Sequence, residues 1–184
     1  CLVGSEMCIR DRSILALSAV VFHSAGEGQI ALGHLDKALS IHPEHYFAIN
    51  LVELIAFKNG DYNRAFEAGK FKMTNQYLSS DKESIEEIER IFEEQGFFAA
   101  YEAYVPKLET VFQNEYINHV GIANRYCWLK NYQKAMDWIE IGFEHLDQNM
   151  GFIATGFYQF DSLYTNPRFI AILEKMNLPF PKTE

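Results

Sequence analysis

No stretch of this sequence reaches the roughly 18 consecutive apolar residues that a membrane-crossing helix needs, so nothing in this part is expected to span a bilayer. Positive charge is scarce: 16 Lys and Arg face 25 Asp and Glu, a formal net charge of −9. A surface of that sign repels phosphate backbones and anionic headgroups, which argues against nucleic acid or lipid as the direct partner of this part. A module upstream lies outside that argument. A glycine-rich phosphate loop is also missing. Gly26-Glu27-Gly28 has no strand before it and no lysine after it. Cysteine is rare, with three residues at positions 1, 8 and 127. What the chain does have is 48% hydrophobic and 15% aromatic residues, more than a disordered chain carries, over a length sufficient for one domain with a continuous core.

Residues 1–12, Cys-Leu-Val-Gly-Ser-Glu-Met-Cys-Ile-Arg-Asp-Arg, resemble the in-frame translation of a sequencing-library transposon adapter. The resemblance implies an assembled environmental source, a natural N-terminus lying further upstream, and two cysteines, Cys1 and Cys8, that are not native. It also removes any reading of Cys1 as a lipidated cysteine. The stretch is set aside from fold reasoning and expected to be disordered or adventitiously packed. Its removal takes Arg10 and Arg12 against Glu6 and Asp11, so the net charge stays at −9. Cys127 then stands alone. One cysteine makes no internal disulfide, which is compatible with a cytoplasmic location and says nothing of a signal or membrane segment further upstream.

The chain is organised around residues 31–65. Gly26 and Gly60 are 34 residues apart, as are Ala31 and Ala65. Gly60-Asp61-Tyr62-Asn63-Arg64-Ala65 is echoed 70 residues later, about two periods on, by Lys130-Asn131-Tyr132-Gln133-Lys134-Ala135. Between these marks the apolar residues recur at helical spacing: Ile14, Leu15, Leu17, Val21 and Phe22; then Ile30, Leu35 and Leu39; then Phe47, Leu51, Val52 and Ile55. Ala31, Ala65 and Ala135 supply the small side chains that two helices need where their axes cross at roughly 8–10 Å, and Ala38 and Gly142 are expected to do so towards the next pair. Ser80-x-x-Glu83 reads as a capping box opening a helix over 82–94. Gly96 turns the chain, and Pro106 is expected to kink or split the helix that starts at Phe97. Residues 148–155 read as a loop. Asn166-Pro167 starts a last helix, ended by Pro179 and Pro181.

A period of about 34 residues with a small residue in each second helix resembles the tetratricopeptide repeat. The resemblance implies an all-α fold: an α-solenoid of about four helix-turn-helix pairs, near 13–43, 44–79, 80–114 and 115–149, with a C-terminal capping helix within 157–178. The whole of 13–182 forms one repeat domain in this reading. The third pair departs from the pattern, because Gln95-Gly96-Phe97 replaces Gly-Asp-Tyr. Gly96-Phe97-Phe98, the run from Asp161-Ser162-Leu163-Tyr164 to Asn166-Pro167-Arg168-Phe169, and Leu173-x-x-Met176-Asn177-Leu178-Pro179 are similar to the tail of tetratricopeptide regions in bacterial signalling proteins. Those regions follow a DNA-binding domain, a nucleotide cyclase or a kinase, which here would lie outside this chain.

The chemistry-bearing clusters all have plainer readings. His42-Pro43-Glu44-His45 offers two metal ligands but no third nearby in sequence, and reads as an inter-repeat turn. Cys127 and His119, a nucleophile-and-base pair by type, lie eight residues apart on one helix. Glu83, Glu86, Glu87, Glu89, Glu93 and Glu94 read as a solvated helix face rather than acid–base catalysts. Tyr101, Tyr104, Phe112, Tyr126, Trp128, Tyr132 and Trp138 read as core. With no converging catalytic set, the sequence predicts neither an enzyme nor a cofactor or metal site. It predicts a scaffold whose concave face holds a protein or peptide partner through Asn50, Leu54, Phe57 and Lys58 of one helix and Asn124, Cys127 and Trp128 of another. The asparagines would hold peptide backbone, Lys58 a carboxylate, and Phe57 and Trp128 apolar anchors. The alternative is a small-ligand sensor or enzyme with an aromatic-lined interior pocket. Oligomeric state is not legible.

Overall fold

The computed structural model describes the backbone of residues 6–111 and 118–180, and side chains at 12–110 and 118–180. Among the described residues every regular element is helical and no strand occurs. The chain divides into two compact units, Cys1–Gln76 and Tyr77–Glu184.

The first unit holds α1 (Glu6–Ser24), α2 (Gly28–Ile41), α3 (Tyr46–Lys58) and α4 (Tyr62–Lys72), which runs on into a π-helical turn at Met73–Tyr77. Consecutive helices lie against each other, and α3 also touches α1. The sequence sets the boundaries. Gly26 and Gly60 take φ of 81° and 77°, a left-handed conformation that ends a helix at little cost only for glycine. Asp61 then caps α4 by accepting from the Arg64 N–H at 3.1 Å, and His45 Nδ1 caps α3 by accepting from the Ala48 N–H at 3.1 Å. Helix α1 begins at Glu6, inside the stretch 1–12 that was expected to be disordered or adventitiously packed, so residues 6–12 are helical. Residues 1–5 lie outside the described residues.

The second unit holds α5 (Lys82–Gln95), α6 (Phe97–Val111), α7 (His119–Trp128), α8 (Tyr132–Glu144), short 3-10 helices at Gln148–Phe152 and Asp161–Leu163, and α9 (Pro167–Lys175). Phe112 and the expected start of the fourth pair at 115 fall outside the described residues. The cap of α5 is Asp81, which accepts from the Ser84 N–H at 3.1 Å, not Ser80 as the sequence suggested. Helix α6 runs unsplit across Pro106. That proline and Glu102, whose carbonyl it deprives of an N–H donor, are both exposed. The proline thus costs the helix one bond without leaving a buried orphan carbonyl, and the split expected there does not occur.

Ala31, Ala65 and Ala135 are all 0% exposed, as helix crossings require. Gly142 differs from its expected role. A Cβ built there would stand 3.0 Å from His119 Cβ and 3.4 Å from Met150 Sδ, so this glycine admits its own partner helix α7 and the following 3-10 helix, not a further pair. The aromatic set of this unit packs on itself. Phe97 stacks on Tyr101 at 4.0 Å between centroids, Tyr104 meets Tyr101 edge-on at 5.6 Å, and Trp128 lies 5.8 Å from Tyr101. Tyr126 is buried with them, while Tyr132 is exposed and Trp138 half-buried.

Asp147 carries a role that no sequence pattern announces. It stands just before the stretch 148–155 that reads as a loop, and its carboxylate serves two elements. Oδ2 accepts from the backbone N–H of His119 at 2.7 Å and of Val120 at 3.4 Å, capping α7 from outside it. Oδ1 accepts from the Asn149 N–H at 2.8 Å, capping the 3-10 helix that occupies most of the expected loop. The last helix opens as expected, with Asn166 accepting from the Arg168 N–H at 2.9 Å. Arg168 then reaches back to α8, donating to Glu140 at 2.8 and 2.6 Å and to Asp137 at 2.7 Å.

Candidate functional site

The seven expected binding residues fall on two helices in different units: Asn50, Leu54, Phe57 and Lys58 on α3, and Asn124, Cys127 and Trp128 on α7. Their surroundings differ sharply.

On α3, residues 51–56 are buried, and only one edge of the helix reaches solvent. That edge carries Phe47, 41% exposed, then half-buried Asn50 and Phe57, then exposed Lys58. Leu54, between them, is 8% exposed and forms the floor. The Phe57 ring lies 5.6 Å from that of Tyr62, which opens α4 and is 39% exposed. Phe47 and Tyr62 share this edge and were not among the seven residues singled out from the sequence. Phe47 stands three residues before Asn50, so its place on the same helix face was readable.

Asn50 is held from below. Lys72 Nζ of α4 donates to Asn50 Oδ1 at 3.0 Å and pairs with the Glu53 carboxylate. The Lys72 and Glu53 side chains are 0% and 2% exposed. An ammonium can only donate, so the atom it meets on Asn50 must be the oxygen, and the amide NH₂ is turned away from Lys72. A charge pair so deeply placed is costly to desolvate and persists only with its partners in place. The sequence pattern did not reveal this pair, because Lys72 stands in α4 where Ala38 stands in α2, one 34-residue period earlier.

On α7, the expected face is already covered. Asn124 is 1% exposed, and its Oδ1 accepts from the backbone N–H of Gln159 at 2.8 Å. The amide expected to hold a peptide backbone thus holds one from the same chain. Cys127 and Trp128 are 8% and 4% exposed, and Ile153, Tyr158 and Phe160 from the segment around Gln159 are buried as well. The Cys127 thiol is pushed up to about 12 by burial, and next by the nearby Asp161 carboxylate. That is the reverse of what a nucleophile requires. His119 faces Asp147 instead, with Nδ1 at 3.3 Å from Oδ2, and eight residues of helix put it about 12 Å along the axis from Cys127.

Two clefts accompany these faces. In the first unit, one of about 290 Å³ is lined by Leu39, Pro43, Ile49, Val52, Ala68 and Phe71 with Asp36, Arg64 and Glu67. In the second, one of about 250 Å³ is lined by Glu102, Pro106, Tyr126, Leu129, Asn131 and Lys134. Beside the latter, Glu109 accepts from the Tyr126 hydroxyl, from Trp138 Nε1 at 3.0 Å and from Lys134 Nζ at 3.5 Å. Burial, then the hydrogen bond to Glu109, raises the Tyr126 phenol above its ordinary range, so it stays protonated.

His42 and His45 rings are 6.1 Å apart, but His45 spends Nδ1 on capping α3. Burial, then the Arg12 charge, lowers the His45 pKa. Among the described residues no three His, Cys, Asp or Glu side chains converge as a metal site, and no helix is long and apolar enough to cross a membrane. Comparison of the chain with family models, with curated proteins and with solved structures returns no match.

Proposed function

We propose that this chain is a tetratricopeptide-like repeat scaffold, part of a larger regulatory or signalling protein, that holds an extended peptide or partner segment on the α3 edge of its first unit. The observation that carries this reading is the fixed, half-exposed amide of Asn50 between two aromatic side chains. Lys72 orients it, so its NH₂ is available to donate to a peptide carbonyl without first being ordered. Preorganised donors of this kind bind at lower entropic cost. Phe47 and Phe57 offer apolar contact on either side, and Lys58 offers a cation to a carboxylate. The part of the site first assigned to α7 drops out of this reading, because Asn124, Cys127 and Trp128 are buried beneath the chain's own residues.

The test is a selection of random linear peptides on the purified chain, followed by titration of the enriched peptides. Asn50→Ala and Phe57→Ala are expected each to weaken binding by about ten-fold or more, the scale of an interface hot spot. Enriched peptides that bind both variants as tightly as wild type would place recognition elsewhere.

A further inference from the structure

Ile14, Leu17 and Val21 stand at i, i+3 and i+7 on one side of α1 and are 61%, 57% and 67% exposed. Single exposed apolar residues are ordinary, but three aligned on one helix face form a patch. One 34-residue period later stand Ala48, Leu51 and Ile55 of α3, each 0% exposed. At several other positions of the first unit the period carries burial with it. Ala31 and Ala65 are both 0% exposed, Leu32 and Phe66 both 2%, and Ala38 and Lys72 both 0%. The difference at α1 is the neighbour. Helix α3 is preceded by α2 and lies against it. Helix α1 buries only its opposite side, through Ala16, Ala19 and His23.

We propose that the Ile14–Leu17–Val21 face is an inter-repeat seam. It fits the second helix of one further helical pair of the same period, packed on α1 as α2 packs on α3. A second copy cannot supply that helix through its α2, because the face of α2 that would repeat the α2–α3 contact is already taken by α3. The inference rests on the repeat reading of the first unit and not on the peptide-binding edge of α3. It also gives the apolar patch a cause: a solenoid end without a polar outer face needs a covering element.

The test lengthens the chain by one of its own periods. Residues 1–11 are replaced by a second copy of 12–45, which is 34 residues long and so keeps the spacing. The reference is the full chain with Cys1→Ser and Cys8→Ser. A single reporter, Leu17→Cys at the original position, is placed in each, and maleimide labelling there is read by peptide mass. Labelling is expected to be at least about ten-fold slower in the lengthened chain, as for a site reached only by local opening. A Ser24→Cys reporter, whose counterpart Lys58 is exposed, should label equally fast in both. Equal rates at position 17 overturn the seam, and slowing at both positions shows non-specific cover, which overturns it too. Protection of position 17 in the reference that rises with protein concentration makes a second copy the occupant and also overturns it. Because none of these readings involves the α3 edge, they leave the peptide-binding proposal to its own test.

Discussion

Single side chains decide how much of this molecule tolerates change. Ala31, Ala65 and Ala135 are fully buried, so replacing any one with Leu should cost about 1–3 kcal/mol by overpacking in urea unfolding. Surface-like behaviour of all three variants would mean the repeat register is wrong. Lys72 is the sharper case. Lys72→Met removes the ammonium from beside a buried carboxylate and should cost about 3–5 kcal/mol, whereas Lys72→Met with Glu53→Leu should recover most of the loss. The double variant should also free the Asn50 amide to turn, weakening peptide binding even where stability returns. These residues were unevenly legible. The alanines announce themselves by their spacing. Lys72 does not, because a lysine at a helical core position looks like a surface residue until its partners on α3 are known.

Whole elements were more legible than the contacts between them. Asp and Asn caps and turn glycines act within three or four residues, so most helix boundaries followed from the sequence alone. Asp147 caps α7 from 28 residues away, and Gln159 meets Asn124 across 35, and no local pattern encodes either. Pro106 misled for a related reason. Its effect depends on which side of α6 faces water, and that is fixed by packing. Since its ring lies exposed, Pro106→Ala should restore a backbone bond and raise the melting temperature; an unchanged or lower value would show that the ring is itself structural. The tie between α8 and α9 gives a pH prediction. The hydrogen bonds from Arg168 hold the Glu140 carboxyl below its ordinary range. A carboxyl depressed in the folded state adds stability above its unfolded pKa and loses it as pH falls through the folded value. As pH falls through and below the ordinary glutamate range wild type should therefore lose more stability than Glu140→Gln, modestly, since both partners are partly exposed and screened. Equal losses would show that the pair contributes nothing.

At the scale of the molecule, the all-helical character was readable from periodicity, and which of the expected site residues stay open to solvent was not. Helical spacing put Asn50 and Asn124 on equivalent outer faces, and only the fold shows that Gln159 already occupies one of them. That leaves the α3 edge as the open surface among the residues first assigned to the site, with Asn50 at its centre. The most direct measurement is an NMR titration of the ¹⁵N-labelled chain with a peptide enriched by selection. The account predicts that the Asn50 side-chain NH₂ and the backbone amides of Phe47, Phe57 and Lys58 shift together and saturably, while those of Asn124, Cys127 and Trp128 stay in place. Shifts centred on α7 or on the cleft beside Lys134, with the Asn50 amide unmoved, would contradict it.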